Sequence, residues 1–203
     1  MMATGIILAG GASIRMPGEK AFMEVGGRRV IDIQLQVTGG LFTETLIVGN
    51  AGRMEGLSVY RGGGVRVVEE KVSGKGPLGG ILSGLELSGS EDNFVMACDM
   101  PFINRDAIVF IMENLPGFQV AVPRTPEGLE PLYAAYRRDC ADVIGRQIGS
   151  GNLKVTDFYD EVLVKYVRWE ELLGFDSTGR LLLNINSPED MRKAAGLANG
   201  GLT

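Results

Sequence analysis

The sequence predicts an α/β fold built on an open, mostly parallel sheet, and two observations indicate it. Short apolar runs recur along the chain, each ended by turn residues, and they are continuous more often than alternating, as in strands covered on both faces. Segments with helical patterns separate these runs, so the order of elements is β-α-β-α. The predicted strands are residues 5–9, 45–49, 65–69, 94–98 and 120–123.

Three helices are predicted between these strands, at residues 29–38, 77–87 and 105–114. Each connects one strand to the next, as the crossovers of a parallel sheet require. The C-terminal third is less regular. We expect a helix at 139–147 and further strand-like runs at 130–136, 162–167 and 181–186.

A last helix is predicted to begin after Ser187, in the stretch SPEDM. Serine suits the N-cap, Pro188 suits the first helical position, and Glu189 with Asp190 suits the positive end of a helix. No repeat, low-complexity linker or charge block divides the chain. We therefore expect one domain over residues 1–203.

Charge and hydropathy restrict the class of protein. The formal charge of -5 argues against a nucleic-acid binder, which normally carries a basic face. The sequence has no apolar run of about 18 residues and no basic and apolar leader, so no membrane association is expected. We therefore expect a cytoplasmic protein.

Cysteine and histidine usage restricts the chemistry. Cys98 and Cys140 are the only cysteines and form no CxxC spacing, so neither a disulfide framework nor a structural zinc site is indicated. The chain has no histidine. This excludes histidine general bases, histidine triads and histidine-ligated metals, and a hard metal ion would need oxygen ligands.

Polar residues and glycines follow each predicted strand. In an open α/β sheet, ligands bind beyond the carboxyl ends of the strands, so these residues define the default site. They are Gly10, Gly11, Arg15 and Lys20 after the first strand, Asn50 and Arg53 after the second, Glu69 and Glu70 after the third, and Asp99 after the fourth.

The loop after the first strand, in TGIILAGGASIRMPGEK, is suited to phosphate. Its glycines leave backbone N–H groups open, and Arg15 and Lys20 add charged donors. The loop is neither GxxxxGK[ST] nor GxGxxG, so Walker-type and dinucleotide-binding sites are not supported. A tight surface turn with two solvated cations is an equally simple interpretation.

Three further stretches have both a functional and a plain interpretation. Asp99 in CDMPF suits a metal ion held against phosphate, or else it caps a turn that Pro101 favours. The glycines of GKGPLGG, residues 74–80, allow close approach to a base or ribose, or form an ordinary loop-to-helix junction. Asn184 and Asn186 lie two apart on a predicted strand, where two amides on one face suit a metal or a phosphate, or else NINSPED is only the cap of the last helix.

Together these motifs resemble one family. LAGGASIRMPGEK, GPLGGI, CDMPF, EPLYAAY and NINSPED occur in the order typical of the molybdenum cofactor guanylyltransferases, the MobA-like branch of the nucleotidyltransferases. The resemblance extends from the start of the chain to about residue 190. It implies a Rossmann-like, three-layer α/β/α fold of nucleotidyltransferase type.

The resemblance also implies the roles of individual residues. The first loop and Lys20 hold the nucleotide phosphates, Asp99 is the magnesium ligand, and Lys20, Arg15 and Asp99 are the catalytic set. The nucleotide-binding positions are Leu8, Ala9, Gly10, Gly11, Lys20, Asn50, Glu70, Gly76, Pro77, Leu78 and Asp99. Asn184 and Asn186 are placed on the pterin side. Tyr133 either lines that side or, as is commoner for a strand residue, packs inside.

Two departures from the family pattern stand out. Pro17 and then Gly18 stand where the family has glycine after Arg-Met, although the spacing from Arg15 to Lys20 is unchanged. An acidic residue before the GPL segment is an aspartate in the family, whereas this chain offers Glu69 or Glu70, and spacing favours Glu70.

The implied reaction is transfer of GMP from GTP to the phosphate of molybdenum-bound molybdopterin, with release of pyrophosphate. The nucleophile is a phosphate monoester with a second pKa of about 6, so a chain without histidine suffices. The alternatives are a cytidylyltransferase of the same cofactor, a nucleotidyltransferase for another phosphorylated metabolite, and a non-catalytic nucleotide-binding adaptor. Contacts with proteins that deliver molybdopterin or accept the product are also expected.

Overall fold

The computed structural model describes residues 1–10 and 22–199. Within these residues the strands are β1 (Ala3–Leu8), β2 (Glu24–Val25), β3 (Arg28–Arg29), β4 (Glu44–Gly49), β5 (Val65–Glu69), β6 (Asp92–Ala97), β7 (Val120–Thr125), β8 (Gly128–Leu129), β9 (Tyr133–Arg137) and β10 (Val164–Arg168). The helices are α1 (Val30–Thr38), α2 (Met54–Leu57), α3 (Gly76–Leu87), α4 (Arg105–Glu113), α5 (Cys140–Gly149), α6 (Trp169–Leu172) and α7 (Pro188–Asn199).

The central sheet has the strand order β5-β4-β1-β6-β9-β7-β10, with β8 paired to β7, and β2 and β3 form a small separate hairpin. β1 pairs in parallel with β4 and with β6, and β4 pairs in parallel with β5. β9 runs antiparallel to both β6 and β7. The chain moves outward from β1 to β5 and then crosses to β6, so the strand order reverses at β1.

Helices cover both faces of the sheet. Along β1, Ile7 faces a core that α1 and α4 cover, whereas Ile6 and Leu8 face a second core. The second core is closed by α3 and α5. This alternation is the period of an extended strand, and it produces two buried faces. The predicted three-layer α/β/α arrangement with a mostly parallel sheet is confirmed.

The predicted strands and helices agree with the structure to within a few residues, with one exception. Residues 181–186 were expected as a strand, but they form a turn followed by irregular chain. Leu181, Leu182 and Ile185 are nevertheless buried. They pack against other elements of the fold without hydrogen-bonding to a neighbouring strand. The prediction that Asn184 and Asn186 share a strand face is therefore wrong. The predicted start of the last helix is confirmed, since Ser187 Oγ accepts the amide hydrogen of Asp190 at 3.1 Å.

Helix α3 lies unusually close to β1. A Cβ atom at Gly84 would be 2.7 Å from Ile6 Cγ2, and one at Gly80 would be 3.2 Å from Leu8 Cδ2. Glycine at these positions lets the helix backbone rest directly on the strand. None of the described helices is long and apolar enough to cross a membrane.

Replacing Gly84 by alanine is expected to destabilise the chain by about 1–3 kcal/mol, because the new methyl group meets a buried β-branched side chain that has no room to turn. Gly145→Ala, in the interior of α5, is the matched control, since a Cβ there meets nothing within 4 Å. That change is expected to stabilise by about 0.5–1 kcal/mol. Chemical denaturation of both variants measures the difference. Equal stabilisation by both changes would contradict the close packing of α3 on β1.

Candidate active site

A cavity of about 250 Å3 lies at the carboxyl ends of the parallel strands, where the strand order reverses. Its walls come from the last residues of β1, β4 and β6 and from the first turn of α3. Glu70, Asp99 and Asn186 contribute polar side chains. The position is the one at which open α/β sheets bind ligands.

Backbone hydrogen bonds fix the chain as it leaves the strands. The amide of Ala9 donates to Val48 O at 2.8 Å, and the amide of Glu70 donates to Gly49 O at 2.7 Å. The parallel pairing thus continues beyond β1 and β5. The residues that enter the cavity begin from a rigid frame.

Two side chains after β4 hold the start of the first loop. Asn50 Nδ2 donates to Gly10 O at 3.4 Å, and an Arg53 guanidinium nitrogen donates to Ala9 O at 2.7 Å. Asn50 was predicted near the base and ribose, and the structure brings its amide to Gly10, which lines the cavity, although Asn50 itself is not a lining residue. The sequence predicted that Arg53 lies at this edge but indicated no role for it. Its partner could not be foreseen, because Ala9 is 44 positions away in the chain.

Glu70 is a buried carboxylate at the cavity wall. It is 9% exposed, its Oε1 has no hydrogen-bond partner among the described residues, and burial raises its pKa. Its oxygens lie between two glycines: a Cβ at Gly79 would be 2.6 Å from Oε1, and one at Gly10 would be 3.5 Å from Oε2. Glu69, the last residue of β5, is exposed. The structure thus brings Glu70 to the cavity and leaves Glu69 outside it.

Asp99 lies in the turn after β6 and is 9% exposed. The amide of Ile185 donates to Asp99 O at 3.0 Å, which brings the NINSPED segment to this turn, and Asn186 lines the same cavity. Nearby, the pKa of Glu130 is raised by burial first and then by the negative charges of Glu127 and Asp99. Glu130 begins the EPLYAAY motif but is not among the site residues predicted from the sequence.

The other predicted site residues are distributed as follows. Leu8, Gly10, Gly76 and Pro77 line the cavity, while Ala9 and Leu78 are fully buried beside it. Asn184 is half-buried, and its Nδ2 donates to Leu182 O at 3.3 Å. Gly11, Arg15, Pro17, Gly18 and Lys20 lie outside the described residues.

Tyr133 packs inside the protein. It is fully buried, its ring meets that of Phe94 edge to face with centroids 5.0 Å apart, and its hydroxyl donates to Asn104 O at 3.2 Å. The side chain therefore does not line the cavity. Of the two predictions for Tyr133, the one that placed it on the pterin side is wrong, and the one that placed it inside the core is right. The cause is the pleat of β9, which directs this residue into the core that α1 and α4 cover.

Comparison with known proteins matches residues 5–162 to a family model described as "MobA-like NTP transferase domain". The chain belongs to this family. A relative from Pelotomaculum thermopropionicum, named "Probable molybdenum cofactor guanylyltransferase", is 38% identical to this MobA-like chain over 100% of its length and 97% of the relative. A "Molybdenum cofactor guanylyltransferase" from Desulfosudis oleivorans is 33% identical over 98% of this chain and 96% of the relative.

Solved structures agree with this family assignment. The molybdopterin-guanine dinucleotide biosynthesis protein A of Archaeoglobus fulgidus superposes with a TM-score of 0.84 at 25% identity, covering 97% of this MobA-like chain and 99% of that protein. A 2-C-methyl-D-erythritol 4-phosphate cytidylyltransferase from Thermus thermophilus gives a TM-score of 0.72 at 19% identity, with 98% and 100% covered. The second likeness shows the fold alone. The nucleotidyltransferase fold and the predicted family are confirmed.

In this MobA-like chain, Glu70→Gln is expected to raise the Tm of the ligand-free protein at pH 7 by roughly 2 °C. Burial raises the folded-state pKa of Glu70 above its ordinary value of 4.5, so ionising this carboxylate disfavours the folded state. The penalty is absent below the unfolded-state pKa and develops as the pH rises through the folded-state pKa.

The difference in Tm between Glu70→Gln and the unmodified chain should therefore vanish near pH 4 and reach its full size at neutral pH. Glu69→Gln is the matched control, and its Tm should follow the unmodified chain throughout because Glu69 is exposed. Thermal melts across this pH range measure both. A gain that is largest in acid would contradict the burial of an ionised Glu70.

Proposed function

We propose that this chain transfers GMP from GTP to the phosphate of molybdenum-bound molybdopterin and releases pyrophosphate. The observation that carries the proposal is the pair of buried carboxylates, Glu70 and Asp99, on the walls of one cavity at the carboxyl ends of the strands. A family of NTP transferases, with full-length relatives named for this activity, supplies the reaction class.

Glu70 suits the nucleoside end of the substrate. Its side chain lines the cavity, and an ionised carboxylate there accepts hydrogen bonds from the donors of a ligand. Guanine offers N–H donors at its base-pairing edge, and ribose offers hydroxyl donors. Gly10 lies beside Oε2 and lines the cavity, so a nucleoside donor is able to approach this oxygen, whereas Oε1 is packed against Gly79.

The phosphate end is assigned to the first loop and to the start of α3. Gly76 and Pro77 open α3 and line the cavity, so the positive end of a twelve-residue helix faces the ligand space. Arg15 and Lys20, in the first loop, are proposed to neutralise the triphosphate. This assignment leaves Asp99 and Asn186, which line the same cavity, for the attacking phosphate.

Magnesium fits the residues present. Among residues 1–10 and 22–199 no group of three or more acidic or cysteine side chains is arranged to hold a metal ion. Mg2+ does not require such a cage, since it is commonly held by one or two carboxylates together with substrate phosphates and water. Asp99 would supply the carboxylate, with the amide oxygen of Asn186 on the same cavity. When bound, the ion supplies positive charge to the phosphate oxygens.

The chain's own residues have to orient two anions and need not move a proton. A phosphate monoester is already mostly ionised at neutral pH, because its second pKa is about 6. Phosphoryl-group transfer is then a matter of positioning and charge stabilisation. The rigid strand ends around Ala9, Glu70 and Asp99 supply the positioning.

Asp99→Asn is expected to lower kcat by roughly 100-fold or more while the fold is kept, because it removes one negative charge from the phosphate site without changing the size of the side chain. Pyrophosphate release with GTP, Mg2+ and molybdenum-loaded molybdopterin is the measurement. Glu69→Gln is the control, since it removes an exposed carboxylate from the same edge of the sheet. Full turnover by Asp99→Asn would remove Asp99 from the proposed mechanism.

A further inference from the structure

The turn that carries Asp99 rests on a buried side chain of helix α1. Gln34 is fully buried, and its Nε2 donates to Ala97 O at 2.7 Å and to Met100 O at 3.1 Å. Ala97 is the last residue of β6, and Met100 follows Asp99 directly. One amide group therefore bridges the backbone on the two sides of the Cys98–Asp99 pair.

The orientation of this amide is determined by its partners. Two carbonyl oxygens can only accept, so they require the NH2 group of the glutamine and not its oxygen. That group has two hydrogens, one for each carbonyl. Rotating the amide by half a turn would place an oxygen against two oxygens. The contact therefore specifies both the position and the direction of the Gln34 side chain.

Packing alone does not explain a glutamine at this position. Its α1 neighbours Val30 and Ile31 are apolar and fully buried, and Gln34 Oε1 accepts no hydrogen bond from the described residues. An unpaired buried acceptor disfavours folding, whereas leucine or methionine would fill similar space without it. The two N–H donors are what distinguish glutamine from those residues.

The turn has other supports, and Gln34 completes them. The amide of Ala97 donates to Leu132 O at 3.0 Å, and Asp99 O accepts from the amide of Ile185 at 3.0 Å. The amide of Cys98 also donates to Leu8 O at 3.2 Å, and Gln34 adds the bonds to the carbonyls of Ala97 and Met100. Gln34 itself does not line the cavity. It reaches the ligand space only through the backbone that carries Asp99.

We propose that Gln34 is a positioning residue for Asp99, holding the turn so that the carboxylate enters the cavity in one direction. This proposal rests on the proposed function for its kinetic consequence, but its structural content is independent of the substrate. A displacement of about 1 Å at a reacting group is enough to cost roughly 100-fold in rate. A loosened turn would therefore lower turnover more than nucleotide binding.

Gln34→Met removes both donors at nearly constant length. We expect kcat for pyrophosphate release to fall roughly 10- to 100-fold while KM for GTP stays within about threefold, since Glu70 and α3 are untouched. Cys98 lies inside the bridged turn, where it lines the cavity but is only 4% exposed. Its labelling by an aromatic disulfide reagent, without substrate, should accelerate at least about tenfold, because local opening of the turn exposes it. Cys140, buried in α5, serves as an internal reference.

Asn93→Leu is the matched control. Asn93 is a fully buried amide at the opposite end of β6, and its Nδ2 donates to Glu91 O at 3.2 Å and to Tyr136 O at 3.4 Å. This variant should lose stability while keeping the kcat and the Cys98 labelling rate of the unmodified chain. Gln34→Met with unchanged kcat and labelling would overturn the proposal. An equal loss of kcat in Asn93→Leu would reduce the role of Gln34 to general stability.

A measurement on the unmodified chain keeps the claim testable if Gln34→Met does not fold. Both side-chain amide hydrogens of Gln34 should exchange slowly with solvent and give nuclear Overhauser contacts to backbone amides of residues 98–100. Rapid exchange of either hydrogen would overturn the proposal. If the unmodified chain releases no pyrophosphate with any nucleotide, the proposed function fails, whereas amide exchange and thiol labelling still decide the role of Gln34.

Discussion

The parallel pairing of β1 with both β4 and β6 is the constraint on which the site depends. Because three strands end at one level, the residues that follow them meet at one edge of the sheet. Gly10, Asn50 and Asp99 come together for this reason, although they are far apart in the chain. The crossover from β5 adds Glu70 and the first turn of α3 to the same edge. Close packing of α3 on β1 keeps that turn beside the cavity.

Carboxylates lie at and near the cavity: Glu70 and Asp99 line it, and Glu130 is close enough to Asp99 for the charge of Asp99 to affect its pKa. Burial raises the pKa of Glu70, and partial burial followed by the charges of Glu127 and Asp99 raises that of Glu130. Burying such groups lowers the stability of the free protein, which is common at binding sites. A triphosphate would add further negative charge. The arrangement is therefore suited to a substrate that brings its own donors and cations.

Much of the architecture could be predicted from the sequence, because strands that are buried on both faces appear in it as continuous apolar runs. Residues 65–69 form β5 with the predicted bounds. The same rule failed at 181–186, where leucine and isoleucine are buried by packing without a neighbouring strand. Spacing selected Glu70 over Glu69, and only the structure showed which of the two faces the cavity. Gln34 could not be found from sequence, because its partners are 63 and 66 residues away in the chain.

In the proposed reaction, GTP is cleaved between its α- and β-phosphates and GMP is joined to molybdopterin. The most direct measurement incubates the chain and Mg2+ with molybdenum-loaded molybdopterin and GTP labelled at either the α- or the γ-phosphorus. We expect the α label to enter a guanine dinucleotide product and the γ label to leave in pyrophosphate, with CTP a poor substitute for GTP. Transfer of the γ label to the pterin, or faster transfer from CTP than from GTP, would contradict the proposed reaction.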